Sequence, residues 1–301
     1  MKKEKIKSFN GDEITTFLWE DVKKPKAVML IAHGMCEHSL RYDQFANFMN
    51  NNGIIVFSLD LRGHGETAGS PERVCKYPTT TIMEDSIKDL MFFADYLIKK
   101  YNLPLVALGH SYGSFLMQGF LESYNKQVCT VLIGSAFMRD ATTVLGGVVS
   151  SLTKFFKGGD AEAKMIVALS FDSYGKGFPY KNWLTRDMEI FKAYNDDPYC
   201  GNKPSANFYK SMFKTLKKIT NKTELAKIPS ASPILITSGE KDPVGGKNIS
   251  LTKKLFNKYK ETGLNLTELK TWQDCRHEVL NETNKEEIFE YILNFINKNI
   301  K

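Results

Sequence analysis

The sequence predicts an α/β fold: a mostly parallel sheet of about eight strands, flanked by helices and interrupted by one helical insertion. Three observations predict it. Short runs of β-branched and aliphatic residues recur without polar alternation, as strands buried on both faces require. Amphipathic helical stretches separate them. The strand rhythm stops after Ser135 and resumes at Pro233.

Taken in order, residues 5–9 and 14–19, joined across Asn10-Gly11-Asp12, read as a β-hairpin. Ala27–Ala32 and residues 53–59, 105–109, 128–134 and 233–238 read as buried parallel strands. Residues 264–269 alternate and are expected at a sheet edge. Residues 81–100 set Ile82, Ile87, Leu90, Phe93, Ala94, Leu97 and Ile98 on one helical face, with Thr81 and Glu84 in capping-box spacing. Residues 114–124 and 285–299 supply two further helices. The organisation expected is a core of residues 1–137 and 229–301, with 138–228 as a helical cap over it.

Composition bounds the function classes. Of 301 residues, 42% are hydrophobic and 25% charged, ordinary for a soluble globular chain. Lys2, Lys3 and Lys5 precede no apolar run, so no signal peptide is read, and no stretch has the ~18 apolar residues of a membrane span. A cytoplasmic location is expected. Five scattered cysteines show no metal-ligand spacing and read as reduced thiols. Residues 138–228 carry 15 Lys and Arg against 9 Asp and Glu, most of the chain's net +7. These charges are interspersed and match no nucleic-acid motif, which leaves a solvated basic face, or one drawn to anionic substrates or membrane surfaces. Neither metal nor organic cofactor is called for.

The chemistry centres on Gly109-His110-Ser111-Tyr112-Gly113, G-x-S-x-G between a strand and a helix. A sharp turn there lifts the hydroxyl to the carboxyl edge of the sheet, above the unpaired N–H groups of a helix start. Serine needs a base. His277 alone among five histidines follows Ser111, in a loop after the last strand. The acid should end the preceding strand, and Asp242 is chosen because Pro243 restricts it to an extended conformation; Glu240 and Asp274 are rivals. Ser111, Asp242 and His277 thus form the expected catalytic triad. The expected oxyanion donors are the backbone N–H of Tyr112 and that of Met35, in the loop His33-Gly34-Met35 after the strand Ala27–Ala32.

With these parts in place, the chain resembles the monoacylglycerol lipase and lysophospholipase branch of the α/β hydrolases, also labelled serine aminopeptidase S33. The matching segments are HGMCEHSLRY, SLDLRGHGET, LGHSYGS, SGEKDPVG and CRHEVLNE, with TRDMEIFKAYNDDP similar to the family's cap signature. The resemblance implies the α/β-hydrolase fold and a cap lined by apolar side chains that receive an acyl chain; residues 144–156 and 165–171 are candidates for that wall. It also implies that His38, Arg41, Arg62 and His64 hold loops around the site. The family often has Met after the nucleophile. Tyr112 here is expected to alter the pocket floor.

The leading expectation is a carboxylic ester hydrolase acting on lipid-like esters, with a small-molecule substrate and possible membrane-surface contact through the cap. An amidase or aminopeptidase using the same triad is the alternative, and a non-catalytic binding module a third. Cys36, beside Met35, and Cys275, near His277, raise a further expectation: thiol reagents would crowd the site.

Overall fold

Sequence alternation and burial generate a doubly covered sheet in the computed structural model, which describes residues 1–139, 141–169 and 171–300 apart from the side chains of 141–144, 169 and 171. The strands are β1 (Lys2–Lys7), β2 (Glu13–Trp19), β3 (Ala27–Ala32), β4 (Ile54–Leu59), β5 (Leu105–His110), β6 (Gln127–Ile133), β7 (Ile234–Gly239) and β8 (Thr267–Trp272). They lie in the order β1-β2-β4-β3-β5-β6-β7-β8. The pairs β1/β2 and β2/β4 are antiparallel and the rest are parallel. The helices are α1 (Asp43–Asn51), α2 (Ile82–Tyr101), α3 (Tyr112–Ser123), α4 (Ala141–Lys157), α5 (Lys164–Leu169) and α6 (Phe171–Tyr174). They continue as α7 (Met188–Asp196), α8 (Ala206–Ile219), α9 (Lys222–Leu225), α10 (Ser250–Glu261) and α11 (Lys285–Asn299).

Successive residues of β3 show why the strand has no polar face. Val28 and Leu30 join one hydrophobic core with Leu90 and Phe93 of α2 and Leu116 and Phe120 of α3. Met29 and Ile31 point the other way, into a second core with Phe45 and Met49 of α1 and Ile288 and Ile292 of α11. Each such side chain contributes about 2 kcal/mol by leaving water. The outermost strand, β1, keeps Lys3, Lys5 and Lys7 exposed, and this charge discourages edge-to-edge pairing.

Three local expectations are corrected. Phe9 leaves the first strand and sits in the turn, where Ser8 N–H donates to the Asp12 carbonyl at 2.9 Å. The edge strand β8 begins at Thr267, because a turn tied by Leu264 N–H to the Tyr259 carbonyl at 3.0 Å takes up the residues before it. The capping box does not close. Thr81 Oγ1 donates to Asp85 Oδ2 at 2.6 Å, while Glu84 is drawn to Lys214 at 3.1 Å.

Between β6 and β7 the described residues hold helices and turns and no strand, apart from one bridge between Glu162 and Ser205. Within this segment α4 packs on α8 so closely that a Cβ at Gly146 would meet Phe213 Cζ at 2.4 Å. Among the described residues no helix is long and apolar enough to cross a membrane.

Candidate active site

Ser111 follows β5 directly, with φ 52° and ψ −119°, a conformation that costs a non-glycine residue about 1–3 kcal/mol. The surroundings impose it. Ser111 N–H donates to the Ile133 carbonyl at 2.9 Å, and the Ser111 carbonyl accepts from Ser114 N–H at 2.8 Å and Ser114 Oγ at 2.6 Å. Both motif glycines serve close backbone approach. A Cβ at Gly113 would meet the Ala32 carbonyl oxygen at 2.0 Å, and one at Gly109 the Gly113 oxygen at 2.4 Å. Helix α3 therefore starts at Tyr112, two residues before its expected start, and presses against the end of β3.

Asp242 and His277 meet across two loops. His277 Nδ1–H donates to Asp242 Oδ1 at 2.9 Å, and both side chains are buried. The carboxylate is held by two more donors, Val244 N–H to Oδ1 at 2.9 Å and Ser238 Oγ to Oδ2 at 3.2 Å. Burial pushes the Asp242 carboxyl up, but His277 and these donors outweigh it and hold it below the ordinary range. The loops can meet because Gly239 has no side chain: a Cβ there would lie 2.2 Å from the Cys275 and Arg276 carbonyls. The rivals lie elsewhere. Glu240 is exposed and accepts from Thr271 at 3.1 Å, and Asp274 is exposed at φ 59°. With Nδ1 engaged, Nε2 is left as the proton acceptor of a ring packed between Trp183 and His110, at 5.0 and 4.9 Å between centroids.

Ser111, His277 and Met35 line one cavity of about 460 Å³, within the range of small-molecule sites. Its walls are largely apolar: Phe115, Leu145, Val149, Ile166, Met212, Phe213, Leu216 and Leu251. Only part of the expected wall contributes. Phe155 and Phe156 are 81% and 75% exposed and Met165 points outward, while the side chains of Val144 and Phe171 lie outside the described residues. Tyr112 does not form the floor; its ring turns away to pack on His64 and Phe208, at 5.7 and 5.2 Å. Its N–H opens α3 among the donors that a helix start leaves free.

The sequence reading missed a charged network beside the cavity. Glu37 accepts from Gly34 N–H at 2.5 Å and Tyr42 OH at 2.9 Å, and lies 3.2 Å from His110 Nδ1. Arg41 joins Glu37 at 2.5 Å and forks onto Glu278 at 2.7 and 2.6 Å. Burial opposes both carboxylates' charge, yet Arg41 holds both below their ordinary range. The other three residues expected to hold loops pair as well: His38 with Asp197 at 2.7 Å, Arg62 with Asp89 at 2.6 Å, and His64 Nε2 with Cys75 Sγ at 3.1 Å. Cys36 and Cys275 are buried, and the Cys275 thiol donates to Asn284 Oδ1 at 3.2 Å. Among the described residues one trio, His38, Asp197 and Cys200, brings three potential metal-ligand atoms within 4.8 Å of one another.

A family model described as Hydrolase_4, serine aminopeptidase S33, matches residues 23–284. The chain belongs to that family. This Hydrolase_4 protein is an enzyme of the α/β-hydrolase fold, in the branch that holds monoacylglycerol lipases. It is 25% identical over 295 residues to a monoacylglycerol lipase of Mycolicibacterium smegmatis, covering 95% of this chain and 93% of that one. Among solved structures it superposes on a lipase in open form with a TM-score of 0.87 at 23% identity, covering 100% and 99% of the two chains. A thermostable carboxyl esterase from Bacillus coagulans in complex with glycerol gives 0.84 at 24%, again covering 100% and 99%. These two likenesses are of fold.

Proposed function

We propose that the enzyme hydrolyses lipid-like carboxylic esters, of monoacylglycerol or lysophospholipid type, through an acyl-enzyme at Ser111. The observation that carries this reading is the buried Asp242–His277 pair opening onto the apolar cavity that Ser111 also lines. His277 Nε2 takes the Ser111 proton as Oγ attacks the ester carbonyl, then returns it to the departing alcohol. Water, deprotonated by the same nitrogen, cleaves the acyl-enzyme and releases the acid. The Asp242 carboxylate stabilises the imidazolium in both halves. Backbone N–H groups of Met35 and Tyr112 receive the oxyanion, each worth about 3 kcal/mol at the transition state. No step requires a metal or cofactor.

In this reading residues 138–228 form a cap over the core of 1–137 and 229–301, and the acyl chain lies against Val149, Ile166, Met212 and Phe213. The outer side of the cap exposes Val148, Leu152, Phe155 and Phe156 beside Lys154 and Lys157, a pattern suited to transient contact with an anionic membrane surface. The five free thiols suit the reducing cytoplasm.

An aminopeptidase would need a free carboxylate for the substrate ammonium. Glu37 and Glu278 do line the cavity, but both are already engaged by Arg41, so neither is free to receive an ammonium, which favours the ester reading. The test is a series of p-nitrophenyl esters of increasing acyl length beside aminoacyl amides. A chain-length optimum, fluorophosphonate labelling, and loss of both in Ser111→Ala are expected. Faster turnover of the amides, or undiminished hydrolysis by Ser111→Ala, would overturn it.

A further inference from the structure

The five cysteines are far apart in sequence, yet two of them meet. Cys36 Sγ lies 3.0 Å from Cys75 Sγ, and neither residue is accessible to solvent. Both backbones sit in the left-handed region, at φ 54° and φ 57°, held by their surroundings. Cys75 N–H donates to the Gly63 carbonyl at 2.6 Å. The carbonyls of Cys36 and Cys75 accept from Gly201 and Ser205 N–H, each at 3.0 Å, so both loops also anchor the chain leading into α8. A disulfide needs sulfurs about 2.05 Å apart, so about 1 Å of approach separates the pair from a bond.

A base adjoins the thiols. His64 Nδ1–H donates to the Arg62 carbonyl at 2.9 Å, which leaves Nε2, 3.1 Å from Cys75 Sγ, to take the thiol proton. Burial would raise the Cys75 thiol, but the Cys36 hydrogen bond and His64 draw it down to about 6. Cys36, by contrast, is raised by burial and by its neighbour. One sulfur is the nucleophile and the other its partner. None of the three groups has a part in ester hydrolysis.

We infer that Cys36 and Cys75 form a covalent modification site at which hydrogen peroxide makes a reversible disulfide that lowers esterase turnover. The Cys75 thiolate attacks one peroxide oxygen, the O–O bond breaks, and the hydroxide released takes the proton from His64, giving a sulfenic acid and water. The Cys36 sulfur then attacks the sulfenic sulfur, the S–O bond breaks, and a second water leaves with the Cys36 proton. Two thiols lose two electrons, and one peroxide becomes two waters. The bond displaces Cys36, next to Met35, and His64, on which the Tyr112 ring packs. This effect on turnover rests on the oxyanion role proposed above, whereas the cross-link itself does not.

The test treats the full-length reduced chain with hydrogen peroxide, then denatures, alkylates and digests it for mass spectrometry, with p-nitrophenyl butyrate turnover followed in parallel. Two of the five thiols should vanish into one peptide pair joining residues 36 and 75, turnover should fall in step, and dithiothreitol should restore both. Cys36→Ser should instead accumulate a sulfenic acid at Cys75, trapped by dimedone added with the denaturant, and Cys75→Ser should keep its turnover under the same treatment. Peroxide that oxidises other thiols while 36 and 75 stay separate overturns the site, as does dimedone marking Cys36 in Cys75→Ser as fast as Cys75 in Cys36→Ser. Complete cross-linking with unchanged turnover overturns its link to the active site. A wild type inactive on every ester would overturn the proposed function instead, with the cross-link still readable by mass.

Discussion

Replacing Asp242 by Asn removes one charge and almost no volume. The amide can keep its oxygen where Oδ1 now accepts from Val244 N–H and His277 Nδ1, both at 2.9 Å, while its NH₂ faces Ser238 Oγ. Fold and ring position are therefore expected to survive. What is lost is the attraction between the carboxylate and the imidazolium that forms as Ser111 is deprotonated. Across roughly 4 Å between charge centres, at an effective dielectric near 20, that attraction is about 4 kcal/mol. At 1.36 kcal/mol per decade this is about three powers of ten in rate. Loosening the imidazole tautomer adds up to another decade, so kcat should fall about 10³- to 10⁴-fold, in line with the corresponding substitution in a known serine protease triad. Asp242 does not line the cavity, so KM should change less than about threefold. Initial rates on a soluble p-nitrophenyl ester, with circular dichroism to check folding, measure both. A folded Asp242→Asn enzyme within tenfold of wild-type kcat would refute this reasoning and require another acid.

Three further outcomes follow from particular contacts. Gly113→Ala puts a Cβ 2.0 Å from the Ala32 oxygen and 2.5 Å from the His33 oxygen, both backbone, so urea denaturation should show a loss of at least about 3 kcal/mol. Burial and then Glu224 push the Glu122 carboxyl up to about 8. The native state therefore holds a proton that the unfolded chain has released, and this contribution to stability declines as pH rises from about 4.5 through about 8. Glu122→Gln should flatten that decline in urea midpoints taken across the window; an unchanged slope refutes the assignment. Because the Tyr112 ring packs away from the cavity, Tyr112→Met should leave the acyl-length optimum unchanged, and a shifted optimum would mean that the side chain reaches the substrate.

The parts of this fold written in local sequence were legible before any coordinate. Runs of aliphatic and β-branched residues at Ala27–Ala32 and at 53–59 report burial on two faces, and the glycines around Ser111 report a turn too tight for a Cβ. Chain order then left His277 as the only eligible base. What escaped depends on distant partners. Thr81 and Glu84 have capping-box spacing, but Lys214, 130 residues on, claims the glutamate. Arg41 was visible as a loop residue, yet nothing local says that it bridges Glu37 and Glu278, the latter 237 residues away. The clustering of unlike charges in EHSLRY and CRHEV was the available signal. Apolar residues of α4 face both the cavity and the solvent, so hydrophobicity alone could not divide lining from outer surface.

Strands β6 and β7 are parallel neighbours, with Thr130 beside Ile234 and Ile133 beside Thr237. Any chain joining them must leave at one end of the sheet and return at the other, a task one ordinary helix performs. Here residues 134–233 make that passage. The surplus length has no duty to the sheet, whose pairing is satisfied whatever the detour contains. The detour can therefore change in length and content, and with it what the cavity admits, as long as the Trp183 and Leu184 carbonyls still receive the N–H groups of His277 and Glu278.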